Sequence, residues 1–274
     1  MKSVIFMIAL AACIDNRTPE PTADQVTLPC LPNLDHQIDI DELPFPDGDA
    51  VGEYWVSNTD TAVDLAGETI DNAPHWDWSG LATTDALVDV AANSMEGAWF
   101  ASEFPRGELV VPLDLEHTVL GILVREDSAI SLLGLASESP NPTVGKTLVH
   151  YDTPIPLYLF PITAGAHWTS TGVISVGNGM IDGLPFVGEN IFDLTVGDSG
   201  TLDLPELTLT QAFQLRTQVT VKPDGGPMVT QRSASFVFEC FGEVARATSR
   251  QEEPTADFHV AREVRRLSLR GGHL

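Results

Sequence analysis

A serine near a histidine can cleave, a lysine behind glycine can hold phosphate, and clustered carboxylates or histidines can hold a metal. The chain carries a fragment of each. Gly197-Asp198-Ser199-Gly200 sets a serine between glycines, and Thr163-Ala164-Gly165-Ala166-His167 ends in a base. A nucleophilic relay needs Ser, His and Asp converging from well-separated strands. Only 32 residues separate His167 from Ser199, and Thr201-Leu202 follows where a further glycine-proline pair would be needed. The segment therefore reads as a turn between strands. Val144-Gly145-Lys146-Thr147 ends like a phosphate-binding loop, but Pro140 stands at the position of its first glycine and no strand-to-helix context follows. His36, His75, His117, His150, His167, His259 and His273 include no H-x-H or H-x-x-x-H pair for zinc. Asp35, Asp39, Asp41, Glu42, Asp47 and Asp49 supply oxygen ligands of the kind calcium takes, yet D-x-D-x-D-G is absent and Pro44 and Pro46 interrupt the run. That stretch reads as solvated and acidic. Trp76 and Trp78 flank Asp77 as a sugar-stacking pair would, but beside a strand start they are expected in a core. No cofactor or metal site and no catalytic constellation is expected.

The three cysteines carry more. Met1-Lys2-Ser3 followed by the apolar run Val4–Leu10 has the layout of a secretory signal, too short for a permanent membrane span. The run ends in Leu10-Ala11-Ala12-Cys13, which resembles the bacterial lipobox: an aliphatic residue, two small ones, and the cysteine that receives diacylglycerol. The resemblance implies cleavage before Cys13, with residues 1–12 as signal peptide and a membrane partner held through lipid on Cys13. Each buried acyl methylene adds about 0.8 kcal/mol to such an anchor. Ile14 follows, not the aspartate that retains many such proteins at the inner membrane, so an outer-membrane address facing periplasm or cell surface is expected. Cys30 and Cys240 then remain in an oxidising compartment and are expected to pair. The alternative is two separate thiols, one buried beside Phe238 and Phe241.

Composition narrows the partners. The formal charge is −25 and the isoelectric point about 4.3. Nucleic-acid binding needs a basic surface, so it is excluded as an expectation. Attraction to anionic headgroups is disfavoured too, leaving the lipid anchor to do the holding.

The elements that position these residues read as all-β. Residues 13–49 are rich in Pro, Asp, Asn and Thr, with Asp15–Asp24 as a tether. From Val51 onward short apolar or alternating runs are separated by Gly, Pro, Asn and Asp. Phe213, Leu215, Thr217, Val219 and Val221 alternate with Gln214, Arg216, Gln218 and Thr220, the period of a half-buried antiparallel strand. Lys222–Pro227 turns that strand back into Met228–Phe241, and Thr118–Val124 turns at Arg125–Ser128 into Ala129–Leu135. Further strands are expected at Glu108–Pro112, Lys146–Tyr151, Ile191–Val196 and Glu263–Leu269, and the one helix candidate is Thr84–Ser94. The expectation is a single domain over residues 50–270, an antiparallel β-sandwich or incomplete barrel.

Several stretches, in order, resemble a group of uncharacterised secreted proteins of Gram-negative bacteria. Trp76-Asp77-Trp78-Ser79-Gly80-Leu81 is similar to W-D-[FW]-S-G-L; Glu103-Phe104-Pro105 and Ile130–Gly134 follow. Pro156–Trp168 resembles P-x-x-L-x-F-P-L-x-x-G-x-x-W, and Gly200-Thr201-Leu202-Asp203-Leu204-Pro205 resembles G-T-L-x-L-P. The resemblance implies a β-rich exported domain and no activity. The function expected is non-catalytic: a membrane-anchored structural or interaction module, with a carrier for an apolar or lipid ligand as the alternative.

Overall fold

The computed structural model describes residues 30–45, 50–114 and 118–269. Cys13 and the rest of the proposed signal and anchor lie outside the described residues, as do Asp47, Asp49, His117 and His273. Strand accounts for 57% of the structure, and the described residues form no α-helix. The strands are β1 (Ala50–Ser57), β2 (Thr61–Ala62), β3 (Glu68–Ile70), β4 (Ala73–Asp77), β5 (Ala86–Ser94), β6 (Leu109–Pro112), β7 (Val119–Arg125), β8 (Ala129–Ser137) and β9 (Leu148–Leu159). They continue with β10 (His167–Ile174), β11 (Gly179–Ile181), β12 (Leu184–Pro185), β13 (Gly188–Asp203), β14 (Thr208–Pro223), β15 (Val229–Phe238), β16 (Gly242–Gln251), β17 (Val260–Ala261) and β18 (Glu263–Leu267).

Sixteen strands make one sheet in the order β12-β11-β9-β8-β7-β6-β5-β1-β18-β16-β15-β14-β13-β4-β3, with β10 also on β13; β2 and β17 pair separately. Pairing is antiparallel except between β4 and β13. The sheet does not close into a barrel. It curls instead, because one core draws from both halves: Ile130, Leu132, Val149 and Ile155 of β8–β9 share it with Val196, Phe213, Leu215 and Val237 of β13–β15. The opposite face of β15–β16, bearing Ala234, Phe236, Ala245 and Ala247, is covered by Leu65, Trp76, Trp78 and Phe258. Trp76 and Trp78 each meet Phe236 edge-on at 4.9 Å. They are core residues, 3% and 5% exposed. A third cluster seats Phe100 and Phe104 on Val110, Leu120 and Ile122 of β6–β7.

Two local expectations are corrected. Thr84–Ser94 contains strand β5, not a helix; its Ala86–Ala92 pairs with β1 and joins the two halves of the sheet. The apolar spacing suited either period, and a partner strand decided it. Gly197–Gly200 is not a turn between strands but an irregular stretch within β13, where register shifts fall between Val196 and Ser199 and between Gly200 and Leu202.

Candidate functional site: a clasped end and an apolar end

β15 and β16 are joined by a tight turn in which Cys240 takes φ +67°. A disulfide links Cys240 to Cys30. Beside it Glu239, 3% exposed, accepts the backbone N–H groups of Asn33 at 2.6 Å and Leu34 at 3.1 Å. Cys240 N–H donates to the Glu42 carbonyl at 2.7 Å. The acidic stretch is thus held at two points on this turn. Between them Ile38, fully buried, exchanges two backbone hydrogen bonds with Ile162 at 2.8 and 3.0 Å. Arg125 reaches over to the Ile40 carbonyl at 3.1 Å and pairs with Asp41. Asp35 accepts from Gln37 N–H at 3.2 Å, and the Glu42 carboxylate from Asp39 N–H at 2.8 Å; these carboxylates cap local turns. Among the described residues, no group of three or more His, Cys, Asp or Glu side chains is arranged to hold a metal ion.

The residues with nucleophilic potential take separate partners. Ser199 Oγ lies 3.5 Å from His36 Nδ1 at an exposed position, while His167 Nε2 lies 3.1 Å from Asp193. His75 Nε2 meets Asp203 at 2.7 Å, but the nearby Thr208 hydroxyl donates to Asp203 at 2.6 Å rather than to the histidine. A relay runs nucleophile to base to acid; here both neighbours converge on the acid. Hydrogen bonds from Thr208 and His75 hold the Asp203 carboxyl below its ordinary range.

Charge is also carried inward. On the face shared with Leu215 and Val237, Glu243 accepts from the Ser235 hydroxyl at 2.8 Å and from Arg246 at 2.7 and 3.0 Å. Tyr54 donates to the Glu243 carbonyl at 2.8 Å. Burial and the Glu243 charge push the Tyr54 and Tyr158 hydroxyls up. Burial works most strongly against the Arg246 charge, but the charge and hydrogen bond of Glu243, with Tyr158 and Glu263, together outweigh it and hold the guanidinium protonated. On the other face Arg266 meets Asp85 at 3.1 Å, with side chains 8% and 1% exposed, and Asp85 Oδ1 and Arg266 Nε have no further partner in the structure.

The end of the sheet away from Cys240 differs in kind. There β10 turns into β11 and β14 into β15, since Ile174 pairs with Gly188 and Gly188 with Pro223. The loop before β9 meets the β11–β12 turn at the same end, with Gly183 N–H donating to the Lys146 carbonyl at 2.9 Å. Two open clefts flank the β10–β11 turn. One, about 450 Å³, is lined by Glu103, Lys146, His150 and Met180; the other, about 520 Å³, by Val173, Val176, Lys222 and Met228. His150 stacks on Phe104 at 4.4 Å, and Lys146 Nζ lies 4.5 Å from the centre of the Trp99 ring. Among the described residues, five large apolar side chains are more than half exposed: Leu31 (70%), Val144 (71%), Val176 (86%), Leu184 (70%) and Met228 (59%). All but Leu31 sit at this end, Val144, Val176 and Met228 on loops and Leu184 as the first residue of β12, beside the β11–β12 turn. Sequence reading placed a turn at Lys222–Pro227 but missed this surface; its signal was an apolar residue beside glycine at turns that ordinarily favour Asn or Asp.

Compared with protein families, curated proteins and solved structures, the chain matches none.

Proposed function

We propose that the chain is an exported, lipid-anchored, non-catalytic interaction module, tethered to a membrane through acylated Cys13 and engaging its partner with the apolar end of the β-domain. The observation that carries this reading is the polarity of the fold. The chain enters at the Cys30–Cys240 disulfide, at one end of β15. The exposed Val176, Leu184 and Met228 lie beyond the other end, and ten residues of strand at about 3.3 Å each set the two ends roughly 30 Å apart. The core between them is filled by side chains such as Ile155, Phe213 and Val237, each 0–1% exposed. The Leu10-Ala11-Ala12-Cys13 element supports the anchor, and an outer-membrane address fits Ile14 after the cysteine. The likeness to secreted proteins of Gram-negative bacteria supports export and adds no activity. Globomycin, or Cys13→Ser, should make the unprocessed precursor accumulate; normal processing under both conditions would remove the anchor from this account.

A second reading is a carrier for an amphipathic ligand. Arg246, with 30% of its side chain accessible, stands on the same face as the apolar core and close to the Tyr54 and Tyr158 hydroxyls. An acidic head group could pair there while a chain lay along the apolar face. Native mass spectrometry of protein taken from its own membrane decides between the two. Co-purified lipid favours the carrier, and its absence over repeated preparations favours the interaction module.

A further inference from the structure

We infer that four exposed apolar tips at the turns of this end, Val144, Val176, Leu184 and Met228, form a surface that inserts shallowly into the interfacial region of an uncharged, zwitterionic lipid bilayer. The inference rests on the interaction-module reading and names the partner of its apolar end.

Three of the tips share one construction, and the fourth stands at the end of a similar turn. Val144 precedes Gly145 (φ +105°), Val176 precedes Gly177 (φ +90°), Leu184 follows Gly183 (φ +76°), and Met228 follows the turn at Gly225 (φ +75°). At Val144, Val176 and Leu184 the apolar side chain stands directly beside the left-handed glycine of a tight turn, whereas Met228 lies three residues beyond Gly225. Turn corners of this kind normally carry polar residues. Four such exposed apolar residues at one end, against a single one more than half exposed elsewhere among the described residues, form a pattern that packing within the chain does not require.

The chemistry of the tips favours lipid over protein. Protein-binding hot spots are contiguous and enriched in Trp, Tyr and Arg. Residues 138–147, 175–178, 182–185 and 224–228 contain no aromatic residue and no arginine. The apolar side chains stand one per turn, with polar residues such as Asn178, Asp182 and Asp224 near them. That is the arrangement of separate anchors dipping below a headgroup layer while the polar neighbours stay hydrated. The chain has three lysines, and the two in the described residues, Lys146 and Lys222, both lie at this end. Their long stems can follow the tips inward with the ammonium groups at phosphate level. Glu189 pairs with Lys222 at 3.2 Å, and Asp152, Asp182 and Asp224 lie close by, so the end has no net positive field. Together with the overall charge of −25, this selects a neutral bilayer over an anionic one.

The test uses the chain from residue 13 onward carrying Cys13→Ser, so that neither the apolar Val4–Leu10 run nor acylation contributes, with vesicles of phosphatidylcholine and phosphatidylethanolamine. Flotation of this protein should fall by roughly thirtyfold or more when Val144, Val176, Leu184 and Met228 are all changed to serine, each tip contributing part of its full burial value. Tryptophan introduced by Val176→Trp should be quenched by lipids brominated near the headgroup, above the quenching of the parent protein. Adding anionic lipid should weaken binding, and salt should change it little. Unchanged flotation of the fourfold variant, or no added quenching with Val176→Trp, overturns the inference. So does tip-dependent self-association in sedimentation without vesicle binding, which would make a second copy the partner. Single Val176→Asp keeps the experiment decisive if the fourfold variant folds poorly. Because the protein is unacylated, a negative result here is separate from a failure of Cys13 processing.

Discussion

Replacing Cys30 and Cys240 together by serine removes a cross-link that closes a loop of about 210 residues, and in the chain-entropy model that is worth up to about 5 kcal/mol. The docked segment keeps its other fastenings in the double variant. Glu239 still accepts from Asn33 and Leu34, Ile38 still pairs with Ile162, and Leu43 remains buried. Residues 31–45 should therefore stay in place in the folded state, and the loss should come from the greater freedom of the unfolded chain. A decrease of about 3–5 kcal/mol is expected in urea unfolding followed by tryptophan fluorescence. The unfolded variant is also less compact, so the denaturant dependence should steepen. Cys240 adds an internal control. Its φ of +67° costs a non-glycine residue about 1–2 kcal/mol, so Cys30→Ser with Cys240→Gly should regain about 1 kcal/mol over the double serine variant. Reductant should destabilise the parent protein by a similar amount and leave both variants unchanged. A double serine variant as stable as the parent, or a parent indifferent to reductant, would refute the reasoning.

The chain has three tyrosines, and burial raises all of their hydroxyl pKa values, that of Tyr151 to about 12. Phenolate absorbance of the native protein should stay flat near pH 10, where free tyrosine is half ionised, and rise for all three on unfolding. The folded state then binds more protons above about pH 10, so stability should fall as pH climbs past that value; native titration of three tyrosines near pH 10 contradicts the burial. Asp85→Ala leaves the Arg266 guanidinium buried without its partner and should cost about 3–5 kcal/mol, whereas Asp60→Ala at the exposed Arg250 pair should cost less than about 1 kcal/mol. Equal effects in chemical denaturation would overturn the distinction. A Cβ on Gly134 would lie 2.1 Å from the Val149 carbonyl and 2.5 Å from the Phe104 ring, so Gly134→Ala should destabilise by about 1–3 kcal/mol or more, visible as a lowered melting temperature.

The β14 strand was legible because Phe213 and Leu215 repeat with a strict period of two and a single turn chemistry ends the run at Lys222–Pro227. The β7–β8 hairpin was legible for a different reason, two apolar runs on either side of the polar turn Arg125–Ser128. Thr84–Ser94 was not, since its small and aliphatic residues fit a helix until β1, some 35 residues earlier in the chain, supplies the pairing. The cysteine pair followed from counting, but the Glu239 carboxylate that captures Asn33 and Leu34 lies about 205 residues away and has no local pattern. The Asp85–Arg266 pair and the gathering of four apolar tips at one end are likewise properties of strand order. Ser199 and His167 resemble a relay only in residue type, and their spacing already argued against one; in the structure each has its own neighbour, His36 and Asp193.

The central claim, a β-module held to a membrane by lipid on Cys13, is tested most directly by the mass of the N-terminal peptide of protein extracted from its native membrane. The account predicts a chain beginning at Cys13 and carrying diacylglycerol on its sulfur. A mature chain that begins elsewhere, with Cys13 absent or unmodified, contradicts it.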